Sequence, residues 1–253
     1  MITVAAVQHD IVWEDPAANF AALAPRIEAA AGDGARLVVL AEMFSTGFSM
    51  RSDVIAEHPD GPTATFLLEQ AARHGIWVGG SMPERTPGAT LPTNTFVLAS
   101  PQGVTHRYAK VHPFTYARED EHYSRGATVA TVDVEGVRVT PLICYDLRFV
   151  DLFWDAAADT DLYLVPANWP AARSWHWISL LRARAIENQA YVVGVNRVGT
   201  AGRLVYSGDS RIIDPLGEEI AVAEPGREQT LMAHVDPAHV ASVREQFPFM
   251  ADR

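Results

Sequence analysis

The sequence predicts a layered α/β domain, because strand-like runs alternate with stretches of helical periodicity along the whole length of 253 residues. Runs such as RLVVLA and DLYLVP are apolar throughout, which is typical of strands that are buried on both faces. Runs such as VTHRYAK and TVATVDV alternate apolar and polar residues, which indicates strands with one wetter face. In a domain of this class, functional groups lie at strand ends and in the loops just beyond them.

The individual elements follow from these runs. β-branched and aromatic residues predict strands at positions 2–7, 36–41, 76–80, 95–99, 103–108, 128–134, 137–144, 161–165, 191–196, 211–213 and 230–235. Apolar residues at helical spacing predict helices at about positions 16–31, 63–74, 148–158, 174–189 and 236–246. No linker, repeat or low-complexity tract separates them, so we predict one domain spanning residues 1–253.

Proline and a capping oxygen mark two of the helix starts. Asp15 precedes Pro16 and Asp236 precedes Pro237, which places a side-chain acceptor beside a residue that favours the first helical turn. Pro25 lies inside the first helical pattern, where it removes one backbone hydrogen bond. We therefore expect a kink or an early stop in that helix.

The charge balance argues against several kinds of partner. With 20 Lys and Arg against 31 Asp and Glu, the formal net charge of −11 repels phosphate backbones and anionic lipid, so we expect no nucleic-acid partner. No apolar run reaches the ~18 residues of a spanning helix, so we expect no membrane partner. The single cysteine, Cys144, rules out an internal disulfide and a thiolate zinc site. A reducing compartment fits, and we predict the cytoplasm.

Three ionisable residues end apolar strands in the sequence. Glu42 ends RLVVLAE, Lys110 ends VTHRYAK, and Cys144 lies where a predicted strand turns into a helix. Such positions are partly desolvated, which displaces pKa values and favours catalytic groups. A thiol is the strongest nucleophile in the chain, and the N–H of Tyr145 could bind the oxyanion of a tetrahedral intermediate. A lone cysteine after an apolar run is most often a small core residue, however.

The choice of base is also open at this point. A nucleophilic cysteine usually has a histidine base, and His112 and His176 are the nearest candidates in sequence. A buried carboxylate can serve instead, with a lysine cation nearby to favour the thiolate and the oxyanion. Glu42, Lys110 and Cys144 supply those three functions.

Three motifs, in this order, resemble those of a known family. The segments AEMFSTGFSM, KVHPF and LICYDLRF look like the Glu, Lys and Cys motifs of the nitrilase superfamily of carbon–nitrogen hydrolases, and the likeness covers nearly the whole chain. The resemblance implies a four-layer αββα sandwich and a homodimer. It also implies a cofactor-free and metal-free acyl-transfer mechanism that acts on a small-molecule amide.

The resemblance assigns roles to four residues. Glu42 resembles the general base, Lys110 the cation that stabilises the tetrahedral intermediate, and Cys144 the nucleophile. The family holds a second glutamate before a loop glycine, and its spacing falls on Glu119 rather than Glu121. This glutamate would hold the lysine ammonium. The alternative for both acidic residues is a solvated loop.

The segments EMFSTGFSM, CYDLRF and ANWP resemble one branch in particular, the omega-amidases, which deamidate 2-oxoglutaramate and 2-oxosuccinamate. Such a substrate needs a cation for its far carboxylate, and an acidic protein must supply it locally. Arg173 and Arg118 are the candidates. We interpret Arg148 as a structural residue that pairs with a nearby acid.

Aromatic residues crowd the same loops and predict a small, water-excluding pocket. We select Phe114 and Trp169 as its walls because each lies within a motif, although packing in the core or at a dimer interface explains such rings equally well. Asn168 either orients substrate or caps a turn.

Two other functions remain open. One is a different carbon–nitrogen hydrolase, such as a nitrilase or an N-carbamoyl amino acid hydrolase. The other is a non-catalytic thiol-sensing protein, which would have no need of Glu42 and Lys110.

Overall fold

Two six-stranded mixed sheets form the centre of the structure, a computed structural model that describes residues 1–252. The strands are β1 (Ile2–Gln8), β2 (Leu37–Val39), β3 (Trp77–Glu84), β4 (Thr93–Ala99), β5 (Thr105–Ala109), β6 (Val132–Val134), β7 (Val137–Pro141), β8 (Leu162–Ala167), β9 (Tyr191–Asn196), β10 (Val198–Ala201), β11 (Leu204–Ser207), β12 (Arg211–Ile213), β13 (Glu219–Val222) and β14 (Gln229–Val235). The helices are α1 (Pro16–Gly32), α2 (Ser52–Ile55), α3 (Pro62–His74), α4 (Val150–Ala156), α5 (Ser174–Asn188) and α6 (Pro237–Gln246). The sheet orders are β14-β1-β2-β3-β4-β5 and β13-β12-β9-β8-β7-β6, and β10 pairs with β11 in a separate hairpin.

The two sheets lie between two layers of helices. Side chains from both sheets share one buried cluster, to which β1 contributes Val4 and the second sheet contributes Val139 and Leu164. A second cluster joins the first sheet to α1 and α3 through Leu23 and Leu67. On the other side, α4 contacts α5, and α5 packs on β9. The predicted four-layer αββα sandwich is confirmed.

Parallel strands lie at the centre of each sheet and lead to the functional residues. β1, β2 and β3 are parallel in one sheet, and β7, β8 and β9 are parallel in the other. Glu42 lies just beyond β2, Cys144 just beyond β7, and Asn168 directly after β8. The carboxyl ends of these strands are where functional groups of α/β folds collect.

Most predicted elements are present, with differences at their ends. The strand expected at 128–134 begins only at Val132, and β10, β11 and β13 are absent from the prediction. The hairpin strand β11 exposes Leu204 and Val205, so its sequence carries little of the apolar alternation that marks a half-buried strand. Within the described residues, no helix is both long and apolar enough to cross a membrane.

The first helix continues through its proline. Asp15 accepts a hydrogen bond from the N–H of Ala18 at 3.0 Å, which confirms the predicted cap. Of the kink or early stop expected at Pro25, the early stop does not occur, because α1 runs on to Gly32. Pro25 and Ala21, whose carbonyl loses its partner, are both exposed, so water can replace the missing N–H.

The helix predicted at 148–158 is divided. A 3-10 turn spans Cys144–Arg148, α4 follows at Val150–Ala156, and Phe149 between them has extended backbone angles. The ring of Phe149 stacks on His112 with a centroid distance of 3.6 Å. This contact with a distant loop explains why local helical periodicity does not continue through the segment.

One glycine fixes the loop that follows Lys110. The N–H of Gly126 donates to the carbonyl of Lys110 at 2.7 Å, and a Cβ at this position would lie 2.0 Å from the carbonyl oxygen of Ala109. We expect Gly126→Ala to lower the free energy of unfolding by about 1–3 kcal/mol, because the loop must move away from β5. Urea denaturation measures this change.

Gly32→Ala is the matched control. Gly32 is the last residue of α1, and no atom lies within 4 Å of the Cβ it would gain. This variant should be unchanged or up to ~1 kcal/mol more stable. Equal stability of Gly126→Ala and the wild type would contradict the close approach.

Candidate active site

Cys144 lies in a tight turn at the end of β7. Its φ of +46° is in the left-handed region, which residues other than glycine rarely adopt. The carboxylate of Asp146 accepts a hydrogen bond from the N–H of Ile143 at 3.0 Å, and this bond joins the two ends of the turn. Tyr145 is the second residue of the 3-10 turn, where backbone N–H groups have no acceptor within the helix. The thiol therefore stands at the start of the 3-10 turn, beside the Tyr145 N–H, which has no acceptor within that turn.

Glu42 is completely buried and is held at both carboxylate oxygens. Its Oε1 accepts hydrogen bonds from the Asn94 side chain at 2.8 Å and from Lys110 Nζ at 2.9 Å. Its Oε2 accepts the backbone N–H of Asn168 at 2.8 Å, and the Asn168 amide donates to the Glu42 carbonyl at 2.6 Å. Glu42 is also close enough to Cys144 for its charge to raise the pKa of the thiol. The predicted base and nucleophile thus lie near each other in one buried site.

Lys110 lies between two carboxylates and is buried with them. Its ammonium is 2.9 Å from Glu42 Oε1 and 2.9 Å from Glu119 Oε2, with Glu119 Oε1 at 3.2 Å. The ring of Phe48 faces the ammonium at 5.2 Å. The structure therefore brings Glu42, Lys110, Glu119 and Cys144 together.

The two acidic residues of the lysine loop have different environments. Glu119 is fully buried and also accepts the backbone N–H of Phe114. Glu121 is exposed and pairs with Arg118 at 2.7 Å on the surface. This placement agrees with the choice of Glu119, while Arg118 is tied to a surface carboxylate and lies outside the cavity described below.

Burial and charge set the protonation of the site. Burial disfavours the charged Lys110, but Glu119 and Glu42 outweigh it and raise the pKa of the ammonium well above its usual value. Burial, and then the charge of Glu42, raise the pKa of the Cys144 thiol well above its usual value despite Lys110. Burial also raises the pKa of Glu119. The resting site therefore holds an ammonium and a neutral thiol.

Sequence reasoning missed Asn94 and Asp146. Asn94 donates to both Glu42 and Glu119, and Asp146 accepts the Tyr108 hydroxyl at 2.8 Å. The available signal for Asn94 was a polar residue next to an apolar strand, and for Asp146 a carboxylate inside the cysteine motif. Neither signal identifies these partners, because Glu42 and Glu119 are distant from Asn94 in sequence, as Tyr108 is from Asp146.

A cavity of about 150 Å³ opens above the thiol. It is lined by Phe48, Phe114, Tyr116, Ala117, Cys144, Tyr145, Arg148, Asn168, Trp169, Pro170, Arg173, Leu204 and Tyr206. All the residues predicted to contact substrate, namely Phe114, Tyr145, Asn168, Trp169 and Arg173, are therefore around one cavity. Its volume suits a short substrate.

Two arginines of the cavity lie over aromatic rings. The Arg173 guanidinium is 5.6 Å from the ring centre of Phe114, and that of Arg148 is 4.9 Å from the ring centre of Trp169. The interpretation of Arg148 as a residue paired with an acid is wrong. Among residues 1–252 it forms no salt bridge, and its polar partner is Nδ1 of His176 at 3.1 Å. Its charge is available to the cavity because the 3-10 turn directs it there rather than along a longer helix.

Known proteins of similar sequence decide the family. A model of the carbon–nitrogen hydrolase family matches residues 3–245. The chain belongs to this family. The omega-amidase YafV of Escherichia coli strain K12 is 39% identical over 253 residues, with 99% of this chain and 96% of that protein covered. The 2-oxoglutaramate amidase of Bacillus subtilis strain 168 is 33% identical over 257 residues, with 99% and 96% covered.

A solved structure agrees with these relatives. XC1258 from Xanthomonas campestris, a CN-hydrolase superfamily protein with an arsenic adduct in the active site, has a TM-score of 0.94 and 38% identity. The match covers 100% of this chain and 97% of that chain. The protein is thus an amide-hydrolysing enzyme of the carbon–nitrogen hydrolase family, and the predicted fold and enzyme class are confirmed.

Glu119→Gln should reduce turnover strongly, because the amide no longer matches the charge of Lys110 and the ammonium loses its position. We expect kcat to fall by about 10²-fold, comparable to the loss of a transition-state donor. Ammonia release from an amide substrate measures this.

Glu121→Gln is the matched control on the same loop. Its carboxylate pairs only with exposed Arg118, so activity should change less than ~2-fold, as is usual for surface ion pairs. A larger loss at position 121 than at position 119 would show that the buried glutamate does not hold the lysine during the reaction.

Proposed function

We propose that the protein is an omega-amidase that hydrolyses the terminal amide of a small dicarboxylic acid monoamide, 2-oxoglutaramate or 2-oxosuccinamate, and releases ammonia. The observation that carries the proposal is the placement of Cys144 beside the buried Glu42–Lys110–Glu119 cluster, at a small cavity that two arginines line. The names of the relatives from Escherichia coli and Bacillus subtilis support the substrate class.

In the first half of the reaction, Cys144 Sγ attacks the amide carbonyl carbon while its proton moves to the Glu42 carboxylate. The electron pair of the carbonyl moves to oxygen, and the oxyanion is bound by Lys110 and the Tyr145 N–H. The two contacts of Lys110 with Glu119 can share one N–H, which leaves another for the oxyanion. The carbon–nitrogen bond then breaks, and the leaving amine takes the proton from Glu42 and departs as ammonia.

In the second half, a water molecule replaces the amine. Glu42 takes a proton from this water as its oxygen attacks the thioester carbon, and Lys110 and Tyr145 bind the second oxyanion. The carbon–sulfur bond breaks, the sulfur recovers its proton from Glu42, and the carboxylic acid is released. One carboxylate thus acts as base and acid in both halves.

The neutral thiol explains why the base must be in contact with it. The raised pKa of Cys144 leaves almost no free thiolate at neutral pH. Nucleophile and base must therefore act together, and the position of Glu42 near Cys144 supports this.

The substrate carboxylate is held by the arginines of the cavity. The protein carries a net charge of −11, and Glu42 and Glu119 share a single lysine, so the site repels an anionic substrate unless cations are placed locally. Arg148 and Arg173 line the cavity above the thiol and supply two such charges. The rings of Trp169 and Phe114 lie against the guanidinium groups of Arg148 and Arg173, and the backbone N–H of Asn168 donates to Glu42.

We also propose a single domain over residues 1–253, a homodimer and a cytoplasmic location. The shared core of the two sheets supports one folding unit. The homodimer is what the resemblance to the nitrilase superfamily implies. A single unpaired cysteine fits a reducing compartment. One unfolding transition and a dimer mass by light scattering are the expected results.

Cys144→Ala should abolish ammonia release from 2-oxoglutaramate, because it removes the atom that attacks the carbonyl. The fold should be retained, as measured by circular dichroism, since a small side chain is lost at a site already next to a cavity. Activity at the wild-type level would refute the assignment. Rapid labelling of the wild-type thiol by iodoacetamide, without turnover of any amide, would instead support a thiol sensor.

Substrate profiling separates the proposal from other carbon–nitrogen hydrolases, with arginine variants as the sharper test. Wild type should release ammonia from 2-oxosuccinamate but not from nitriles or N-carbamoyl amino acids.

Arg148→Leu and Arg173→Leu should each lower kcat/KM for 2-oxosuccinamate by about 10- to 10²-fold, the effect of one hydrogen bond to a charged group. Hydrolysis of neutral propionamide should stay within ~3-fold of wild type.

Arg118→Leu is the matched control for these variants, because Arg118 pairs with Glu121 outside the cavity. Arg118→Leu should leave the hydrolysis of both 2-oxosuccinamate and propionamide unchanged. Equal losses on the charged and neutral amides would mean that an arginine supports the fold of the cavity and does not bind the carboxylate.

A further inference from the structure

Asn94 contacts three members of the buried cluster. Its side-chain nitrogen donates to Glu42 Oε1 at 2.8 Å and to Glu119 Oε1 at 3.2 Å. Its backbone carbonyl accepts the N–H of Lys110 at 2.9 Å. Asn94 is 1% exposed and lies on β4 opposite Pro83 of β3. One residue therefore touches both carboxylates and the backbone of the lysine.

The hydrogen bonds of Glu42 are unequally divided between its two oxygens. Each carboxylate oxygen can accept about two hydrogen bonds. Oε1 already accepts two, from Asn94 and Lys110, at 2.8 and 2.9 Å. Oε2 accepts one short bond, from the backbone of Asn168 at 2.8 Å. The 3.4 Å contact from the Asn168 side chain is long because that amide group donates to the Glu42 carbonyl at 2.6 Å.

We propose that Asn94 is a positioning residue that occupies Glu42 Oε1 together with Lys110, so that Oε2 alone exchanges the proton with Cys144. The same amide group donates its second N–H to Glu119 and keeps that carboxylate ionised against the lysine. This inference rests on the hydrolytic site proposed above, and it adds the atom of Glu42 that reacts and the residue that selects it.

An amide is the side chain that this position requires. It supplies two N–H donors without a second cation, which would compete with the Lys110 ammonium for the carboxylates. A carboxylate at position 94 would add a third negative charge. The Oδ1 atom of Asn94 has no hydrogen-bond partner among residues 1–252. An unpaired buried acceptor lowers the stability of the fold. Asn94 is therefore explained by the hydrogen bonds that its side-chain nitrogen donates to Glu42 and Glu119.

The experiment compares Asn94→Leu and Asn94→Ala with wild type over a range of pH. Leu is similar to Asn in volume but has no hydrogen-bond donors. Ala is included in case the Leu side chain prevents folding. Without the donors, the ionised carboxylates are less favoured. The acidic limb of kcat/KM should therefore move to higher pH by about 1 unit. We expect kcat to fall about 10- to 10²-fold, with KM within ~3-fold of wild type.

Thr95→Val is the matched control. Thr95 is the next residue of β4, is equally buried, and bonds Thr93 rather than the cluster. It should retain the wild-type pH profile. A role in packing alone would lower the yield or stability of the Asn94 variants, leave the pH profile in place, and make Leu milder than Ala. That pattern would overturn the proposal.

A second readout separates this proposal from the proposed function. Cys144 is the sole cysteine, so the rate of its alkylation by iodoacetamide reports on one thiol without any substrate. The acidic limb of this rate should shift in the Asn94 variants as kcat/KM does. A wild type inactive on 2-oxo amides would refute the omega-amidase function, whereas an unshifted alkylation profile would refute the role of Asn94.

Discussion

A single buried ammonium shared by two buried carboxylates is the interaction on which the site depends. Lys110 lies between Glu42 and Glu119, and all three side chains are almost completely removed from water. Breaking such a cluster by removing one partner leaves an uncompensated buried charge, which typically costs several kcal/mol. The strands and loops that carry the three residues are therefore held together by electrostatics as well as by packing. The same arrangement keeps the lysine charged where an oxyanion would form.

The cluster also explains the state of the nucleophile. Two carboxylates and one ammonium leave a net negative charge beside Cys144, which opposes a second anion there. A thiol that stays protonated is protected from indiscriminate reaction and becomes reactive only when its proton has an acceptor. The strained turn at Cys144 keeps the sulfur next to that acceptor, and Asp146 ties the turn to Tyr108 on the strand that precedes Lys110.

The cavity has the opposite electrostatic character. Its walls are aromatic, and Arg148 and Arg173 bring positive charge to it within a strongly acidic protein. The anionic end of a substrate and its amide end thus meet different environments a short distance apart. Because the cavity is small, these two environments lie close together, and only a short molecule can reach the thiol.

The family resemblance led to Glu119, whereas the residue pattern of the sequence itself determined the fold class and the three strand-end groups Glu42, Lys110 and Cys144. These signals are local, because an apolar run and the polar residue that ends it are adjacent in the chain. Only the tertiary structure decided that Asn94 touches both carboxylates and that Arg148 faces the cavity. Asn94 and Glu42 are 52 positions apart, and they meet because the end of β2 and the start of β4, with β3 between them, lie at the same end of the sheet. The spacing of apolar residues in the sequence predicts which side chains are buried. Which side chains they contact depends on how the two sheets pack.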